Sequence, residues 1–135
     1  MNTATNLFGH VIFTYTREQA ISDGVLVDVS ERANKSVFTI PVAVTRAVWD
    51  QYIKWTTQDS DKQTHQDQSG RLNDILWMLY LACKQNKNES SIHYKLLVIP
   101  TDGYSTSPVL SSLKAAIGGG DAGEPVITIM LTHED

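Results

Sequence analysis

Polar side chains that could carry chemistry gather near the start of the sequence, at Tyr15, Thr16, Asp23, Asp28 and Ser30. Asp28 and Ser30 share one face of a segment predicted to be extended, because successive side chains of a strand point to opposite sides. A carboxylate beside hydroxyl groups in a cleft can act as a general base or hold a ligand. The same residue types also cap helices and turns, and the sequence leaves that structural alternative open. This cluster is the candidate ligand-binding site.

The elements that must position this cluster are short. Thr16 and Gln19 have the spacing of a capping box, which predicts a helix over residues 17–22. Residues 11–15 and 25–29 are rich in β-branched side chains and predict extended segments on either side of it. The sequence therefore predicts a short N-terminal strand–helix–strand segment.

Other residue types that carry chemistry show no suitable spacing. The four histidines lie far apart in the sequence and lack metal-ligand spacing; they are His10, His65, His93 and His133. Cys83 falls within an apolar helical pattern, which favours a buried thiol over a nucleophile. The serines lack the Gly-x-Ser-x-Gly context of a hydrolase nucleophile. We therefore expect no catalytic residue, no metal and no cofactor.

The Gly-rich residues 118–123 invite a phosphate-binding interpretation. Phosphate loops present backbone N–H groups at the start of a helix. Here the glycines lead into Pro125 and an apolar run, and the carboxylates of Asp121 and Glu124 would repel an anion. A Gly-rich loop between two apolar runs is typical of a hairpin, so we predict a C-terminal β-hairpin.

Two longer helices are predicted over residues 43–56 and 70–85, because apolar residues recur there with a 3.6-residue period. The second is apolar nearly all round, which indicates a central position or a face buried against a partner chain. Three tryptophans on these helices could form a binding face, with core packing as the alternative; they are Trp49, Trp55 and Trp77. Between the helices, residues 57–69 are rich in Gln and Asp and predict a polar, flexible loop.

The C-terminal part of the chain predicts three strands. Residues 92–99 alternate between an apolar and a partly polar face, and residues 126–131 are apolar and β-branched. Residues 107–117 are ambiguous, because they open like a helix and then alternate like a strand. We favour a strand over residues 112–117.

These patterns predict an α+β fold in a single domain, residues 1–135, which is close to the usual domain size. The predicted antiparallel sheet contains the three C-terminal strands and is covered on one face by the two long helices. The N-terminal strand–helix–strand segment packs at its edge.

The composition is that of a globular protein with a formal net charge of −4. The sequence has no basic cluster of the kind that neutralises nucleic-acid phosphates, so nucleic-acid binding is not expected. The longest apolar run, residues 75–83, is about half of a membrane span, and the first residues lack a signal-peptide pattern. We expect a cytoplasmic protein that does not bind membranes.

Several blocks of the sequence match a recurring pattern. They are residues 13–30, 38–45 with Trp49, 70–72 with Asp74 and 77–78, 113–115 and 123–131. In these blocks the chain resembles an uncharacterised bacterial family, a domain of unknown function in small proteins of plasmids, phages and integrated elements. The resemblance skips the Gln/Asp-rich residues, supports the terminal hairpin and implies an accessory protein of a mobile element. It supplies no catalytic residue.

The expected function is therefore that of a non-enzymatic binding protein of a mobile element, with an unknown protein partner and a role in countering a host defence. One alternative is a small enzyme or ligand-binding domain with its site around Tyr15 and Asp28. A nucleic-acid-binding protein is the third hypothesis. A homodimer is also open, because the apolar second helix and exposed strand edges could pair with a second copy.

Overall fold

The computed structural model describes residues 2–5 and 11–135, and it describes side chains from residue 15 onward. The strands are β1 (Asn2–Thr5), β2 (Val11–Thr14), β3 (Leu26–Asp28), β4 (Val42–Thr45), β5 (Ser91–Val98), β6 (Val109–Gly119) and β7 (Pro125–Leu131). The helices are α1 (Arg17–Ser22), α2 (Ser30–Asn34), α3 (Arg46–Val48), α4 (Thr57–Lys62) and α5 (Gln68–Gln85), and a π-helical turn, Trp49–Ile53, follows α3 directly.

The main sheet has five strands in the order β3–β4–β7–β6–β5. Its pairs are antiparallel except β4 with β7, which run parallel. The α+β class and the three antiparallel C-terminal strands agree with the sequence prediction. The sheet itself is larger than predicted and mixed, and β1 and β2 form a separate two-stranded sheet.

The C-terminal hairpin is confirmed. Leu113 pairs with Leu131 near its open end and Gly119 pairs with Pro125 beside the turn. Gly123 has a φ of 79°, a left-handed conformation in which glycine is favoured because it lacks a Cβ. The helical alternative for residues 107–117 is wrong, since β6 already begins at Val109. The local resemblance to a helix start is overridden by ladder hydrogen bonds to the full length of β5.

The predicted helix over residues 43–56 is wrong in its first part. Val42, Ala43 and Val44 are almost completely buried in β4, which lies between β3 and β7 in the sheet. A strand buried on both faces does not alternate polar and apolar residues, so its apolar run can be mistaken for a helical stripe. Helical structure begins only at Arg46 and ends with the π-helical turn. One long helix, instead of two, therefore covers the sheet.

The other long helix, α5, forms as predicted. Leu72, Ile75, Leu76 and Leu79 lie on its buried side and pack into the same core as the inward-facing side chains of the sheet. Strand β5 has the expected alternation of exposed and buried residues along its whole length. Complete burial of each large aliphatic side chain stabilises the fold by about 1.5–3 kcal/mol, so this contact is a major part of the core.

The segment predicted as a flexible loop, residues 57–69, is polar but contains helix α4. Thr56 and Asp59 form a capping box at the start of α4, which satisfies N–H groups that the helix leaves free. The amide of Gln63 donates to the carbonyl oxygens of Pro100 and Ser105, both at 2.7 Å. Hydrogen bonds of this kind order a segment that has little apolar surface to bury.

Candidate functional site

Helix α1 begins where the sequence predicts, and three residues of the candidate cluster form local contacts around it. The hydroxyl of Thr16 accepts a hydrogen bond from the N–H of Gln19, whose side chain accepts one from the N–H of Thr16. The hydroxyl of Tyr15 donates to a carboxylate oxygen of Asp23 at 2.6 Å, and this bond raises the pKa of the exposed phenol. Thr16, Tyr15 and Asp23 thus make local contacts around a single short helix.

Asp28 and Ser30 connect β3, α2 and β4. The carboxylate of Asp28 accepts the N–H of Ser30 at 2.9 Å, which is an Asx-type turn. The hydroxyl of Ser30 accepts the N–H of Val42 at 3.0 Å and donates to its carbonyl oxygen at 3.3 Å. These contacts match the structural alternative for the cluster.

Asp28 and Ser30 also line a shallow groove of about 330 Å³, together with residues from α1 and the Gly-rich turn. Arg17 lies in this groove and donates to the hydroxyl of Thr128 at 2.6 Å and to the carbonyl of Ile127 at 2.7 Å. Burial lowers the pKa of Arg17, and the charges of Asp28, Asp121 and Glu124 oppose that shift. The structure therefore brings Asp28 and Ser30 beside an arginine that the sequence analysis did not select.

The carboxylate of Asp121 in the Gly-rich turn binds the first residues of α1. It accepts the backbone N–H of Arg17 at 2.8 Å and that of Glu18 at 3.0 Å. These two bonds lower the pKa of Asp121 because they stabilise its charged form. The contact, here called the Asp121 clasp, occupies the N–H groups that an anion would otherwise use.

The three candidate interface tryptophans do not share one surface. Trp55 is 6% exposed, its indole N–H donates to the hydroxyl of Ser60, and its ring lies 4.6 Å from the guanidinium of Arg71. Trp49 is partly buried against the core. Trp77 is 51% exposed. Of the three, Trp77 alone offers a large aromatic surface to a partner.

Trp77 lies in a stripe along the outer side of α5, here called the Trp77 face. Its ring stacks on Tyr80 with 5.5 Å between centroids, and the ammonium of Lys84 lies 5.0 Å from the Tyr80 ring. Leu81 adds a further exposed apolar side chain. A groove of about 370 Å³ runs beside Trp77 and is lined by Asn73 and by three residues of α2 and the turn after it, Arg32, Lys35 and Ser36.

Arg71 is the polar residue that the sequence analysis missed. It is 4% exposed, and its guanidinium donates to the carbonyl of Ile99 at 2.9 Å, to that of Gln51 at 3.4 Å and to the hydroxyl of Thr101 at 3.3 Å. Its position four residues before Ile75 falls on the buried stripe of α5. A charged residue in phase with an apolar stripe is the signal that could have identified it.

Metal and thiol chemistry receive no support from the part of the chain that the structure describes. Within it, no three His, Cys, Asp or Glu side chains lie close enough together to hold a metal ion; His10 lies outside the described residues. Burial raises the pKa of the Cys83 thiol, which disfavours the reactive thiolate. None of the described helices has the length and apolar character needed to cross a membrane.

The fold and these surfaces define a small α+β domain with a mixed five-stranded sheet, a half-exposed aromatic stripe on α5 and a buried arginine. The chain belongs to DUF6573, a family of unknown function whose model matches residues 3–135. The resemblance to a domain of unknown function is thereby confirmed. No curated protein and no solved structure matches the chain.

Proposed function

We propose that the protein is a non-enzymatic binding protein that contacts another protein through the Trp77 face. The observation that carries this proposal is the half-exposed indole of Trp77 stacked on Tyr80. Tryptophan, tyrosine and arginine dominate the binding energy of protein interfaces, because they bury a large area in few rotatable bonds. Arg32 lies next to this aromatic pair, since it donates a hydrogen bond to Asn73 at 2.8 Å in the adjoining groove.

The charges around the Trp77 face favour an acidic partner. Arg32, Lys35 and Lys84 flank the aromatic pair, although the whole chain has a net charge of −4. Lys35 contacts Glu31 at 3.2 Å, but both side chains are exposed, and such a pair exchanges partners with little loss of free energy. The expected partner presents an apolar or aromatic side chain surrounded by carboxylates. A second copy of this chain would bring like charges together on this face, which disfavours a homodimer there.

The wider role follows from the resemblance to small proteins of mobile elements. In this proposal the protein is a cytoplasmic accessory factor, and its partner is a host protein whose defensive activity it blocks. The absence of a catalytic motif in the sequence is consistent with action by binding. The enzyme or ligand-binding alternative at Tyr15 and Asp28 gains no support, because the polar atoms of both side chains hold local turns and caps. Nucleic-acid binding gains none either, because Arg17 is directed into the protein.

The test places a photoactivatable crosslinking residue at position 81, on the Trp77 face, in one variant and at position 110 in the other, so that Trp77 is kept in both. Leu110 is also exposed, at 61%, but belongs to β6, so position 110 is a matched control. We expect a host protein to be crosslinked from position 81 and not from position 110. The purified partner should then bind Trp77→Ala at least about tenfold more weakly than it binds the wild type, since central aromatic residues typically contribute this much.

Lys84→Glu should also weaken binding of the partner. The loss should be larger at low salt than at high salt, because salt screens interactions between exposed charges. Equal binding of Trp77→Ala and the wild type would exclude the Trp77 face. Crosslinks only between copies of the chain would replace a foreign partner with a homodimer.

A further inference from the structure

A second concave region of the described residues lies around Arg71, and its lining residues differ from those of the groove beside Asp28. A cavity of about 240 Å³ has Arg71, Gln66 and Asp74 at one side and Tyr52, Leu96 and Val98 among its walls. A groove of about 360 Å³ shares Gln66, Arg71 and Asp74 with this cavity. Another of about 330 Å³ shares Tyr52 and Val98. These three adjacent depressions, which share lining residues, are here called the Arg71 cleft.

One edge of the Arg71 guanidinium lacks good acceptors. The Nη1 atom has a partner at 2.9 Å, whereas Nη2 reaches its two acceptors only at 3.3 and 3.4 Å. The Nε atom is buried and has no hydrogen-bond partner among the described residues. Nε and Nη2 form the edge of the guanidinium that binds a carboxylate through two parallel hydrogen bonds.

The charge of Arg71 is also uncompensated at short range. Within the described ranges, no carboxylate oxygen lies within 4.0 Å of its guanidinium. Burial lowers the pKa of Arg71, and the more distant charges of Asp59 and Asp74 only oppose that shift. The amide nitrogen of Gln66 is a second buried donor without a partner in this part of the chain. Buried donors nearly always have acceptors, so these two donors favour a ligand that brings acceptor oxygens to the cleft.

Asp74 supplies the opposite charge at the same cleft. It follows Arg71 by three residues on α5, which places the two side chains on one face with Cβ atoms about 5–6 Å apart. Partial burial raises the pKa of Asp74, while the charge of Arg71 opposes the rise. None of the described residues donates a hydrogen bond to the carboxylate of Asp74. Its oxygen atoms are therefore free of intramolecular bonds that would compete with a ligand. A cationic group bound here would therefore lie next to an anionic group bound at Arg71.

We propose that the Arg71 cleft binds a free α-amino acid with an apolar side chain. The carboxylate of the ligand binds the Nε–Nη2 edge of Arg71, and its ammonium group binds Asp74. Its side chain contacts the apolar wall formed by Leu96, Val98 and Pro108. The cavity is smaller than the pockets that hold drug-sized molecules, which suits a ligand of this size. Because Nε is buried, this binding mode requires part of the cleft wall to move aside.

The test compares L-leucine and L-phenylalanine with probes that lack one charged group, by calorimetric titration and thermal unfolding of the full chain. We expect saturable binding of one or both amino acids at millimolar concentration and a higher unfolding temperature. L-leucinamide lacks the carboxylate and N-acetyl-L-leucine lacks the ammonium group. Each should bind roughly ten- to a hundredfold more weakly, because a charged hydrogen-bonded contact is lost. N-acetyl-L-leucine binding as tightly as L-leucine would overturn the assignment, because it would remove the role of Asp74 and point to a peptide carboxyl terminus.

Asp74→Asn is the informative variant, because Asp74 is exposed on α5 and its loss leaves the core intact. It should bind L-leucine roughly tenfold more weakly and bind 4-methylpentanoate, which is leucine without its ammonium group, at least as tightly as the wild type does. Asp61→Asn, an exposed carboxylate on α4, is the matched control and should bind L-leucine normally. The proposal fails if the wild type binds neither amino acid, or if the two variants bind L-leucine equally.

Discussion

Arg17 and Arg71 both direct a guanidinium group toward oxygen atoms of the protein, but their partners differ. Arg17 donates at 2.6 and 2.7 Å to Thr128 and Ile127, and three carboxylates contribute to its electrostatic environment. Arg71 is more deeply buried, has one short bond and two long ones, and leaves its Nε without a partner in the described structure. The guanidinium in the groove beside Asp28 thus has close acceptors within the protein. The Arg71 cleft, in contrast, contains more buried hydrogen-bond donors than acceptors.

This difference distinguishes a polar region that holds the fold together from one that can bind a ligand. Asp28, Ser30 and Arg17 resemble a ligand-binding site because they are polar residues that line one groove. Their hydrogen bonds show that Asp28 and Ser30 join α2 to β3 and β4, and that Arg17 joins α1 to β7. A buried donor without an acceptor is the stronger indication of ligand binding. Such a donor has lost its hydrogen bonds to water and has formed none within the protein in return. Four predictions test this distinction.

Replacing Arg71 should have the largest effect on stability. Arg71→Met removes the donor for the carbonyls of Ile99 and Gln51 and the cation above Trp55, so we expect a loss of about 3 kcal/mol. Urea unfolding followed by tryptophan fluorescence measures this change. Arg46→Met is the control, because among the described side chains Arg46 pairs only with the exposed Asp50, at 3.4 Å. This substitution should cost about 0.5 kcal/mol or less. Equal losses in the two variants would show that the buried contacts of Arg71 are unimportant.

Replacing Arg17 should have a smaller effect. Arg17→Met removes two short hydrogen bonds, but the side chain is only half-buried, so water can replace part of what is lost. We expect a loss of about 1.5 kcal/mol in the same unfolding experiment. The variant should bind L-leucine like the wild type, because Arg17 lies outside the Arg71 cleft. Reduced L-leucine binding would contradict the division of the molecule into two independent regions.

The Asp121 clasp should make stability depend on pH. Because its folded-state pKa is lowered, the clasp contributes fully above the ordinary carboxylate pKa of about 3.9 and is lost as the pH falls through the lower folded value. Asp121→Asn should therefore be less stable than the wild type at neutral pH and lose less stability on acidification. Chemical unfolding at a series of pH values from neutral to acidic measures both slopes. Parallel pH profiles would show that the charge of Asp121 does not stabilise α1.

The smallest effect is expected at Tyr15. Tyr15→Phe removes only the exposed hydrogen bond to Asp23, so its unfolding curve should overlay that of the wild type. A clear loss of stability, or any loss of partner or amino-acid binding, would return Tyr15 to the candidate site. Asp28→Ala complements it and should cost about 0.5–1 kcal/mol, because the turn to Ser30 loses its acceptor.

Features that depend on neighbouring residues could be predicted from the sequence. The capping box at Thr16, the alternation along β5 and the apolar stripe of α5 are all local patterns, and all three are present. The capping box at Thr56 is equally local, but the polar composition of residues 57–69 favours a loop when the segment is read as a whole.

Features that depend on distant residues could not. The residues of β4 form a strand because β7 pairs with them, and no local pattern distinguishes a strand buried on both faces from part of a helix. Arg71 likewise becomes a candidate ligand-binding residue only when the π-helical turn and the loop after β5 enclose it. Its sequence neighbourhood shows a charged residue near the start of a helix, which is most often exposed to solvent.

The position of β7 also determines when the sheet can assemble during synthesis. β7 lies between β4 and β6, yet it is made after every other strand of the sheet. Until it leaves the ribosome, β3–β4 and β5–β6 are separate pairs with unsatisfied edges, and α1 lacks the contact from the turn that precedes β7. We therefore expect the five-stranded sheet to be completed in one late step instead of progressively from the N-terminus. The unfinished chain is open to chaperones and to aggregation for most of its synthesis.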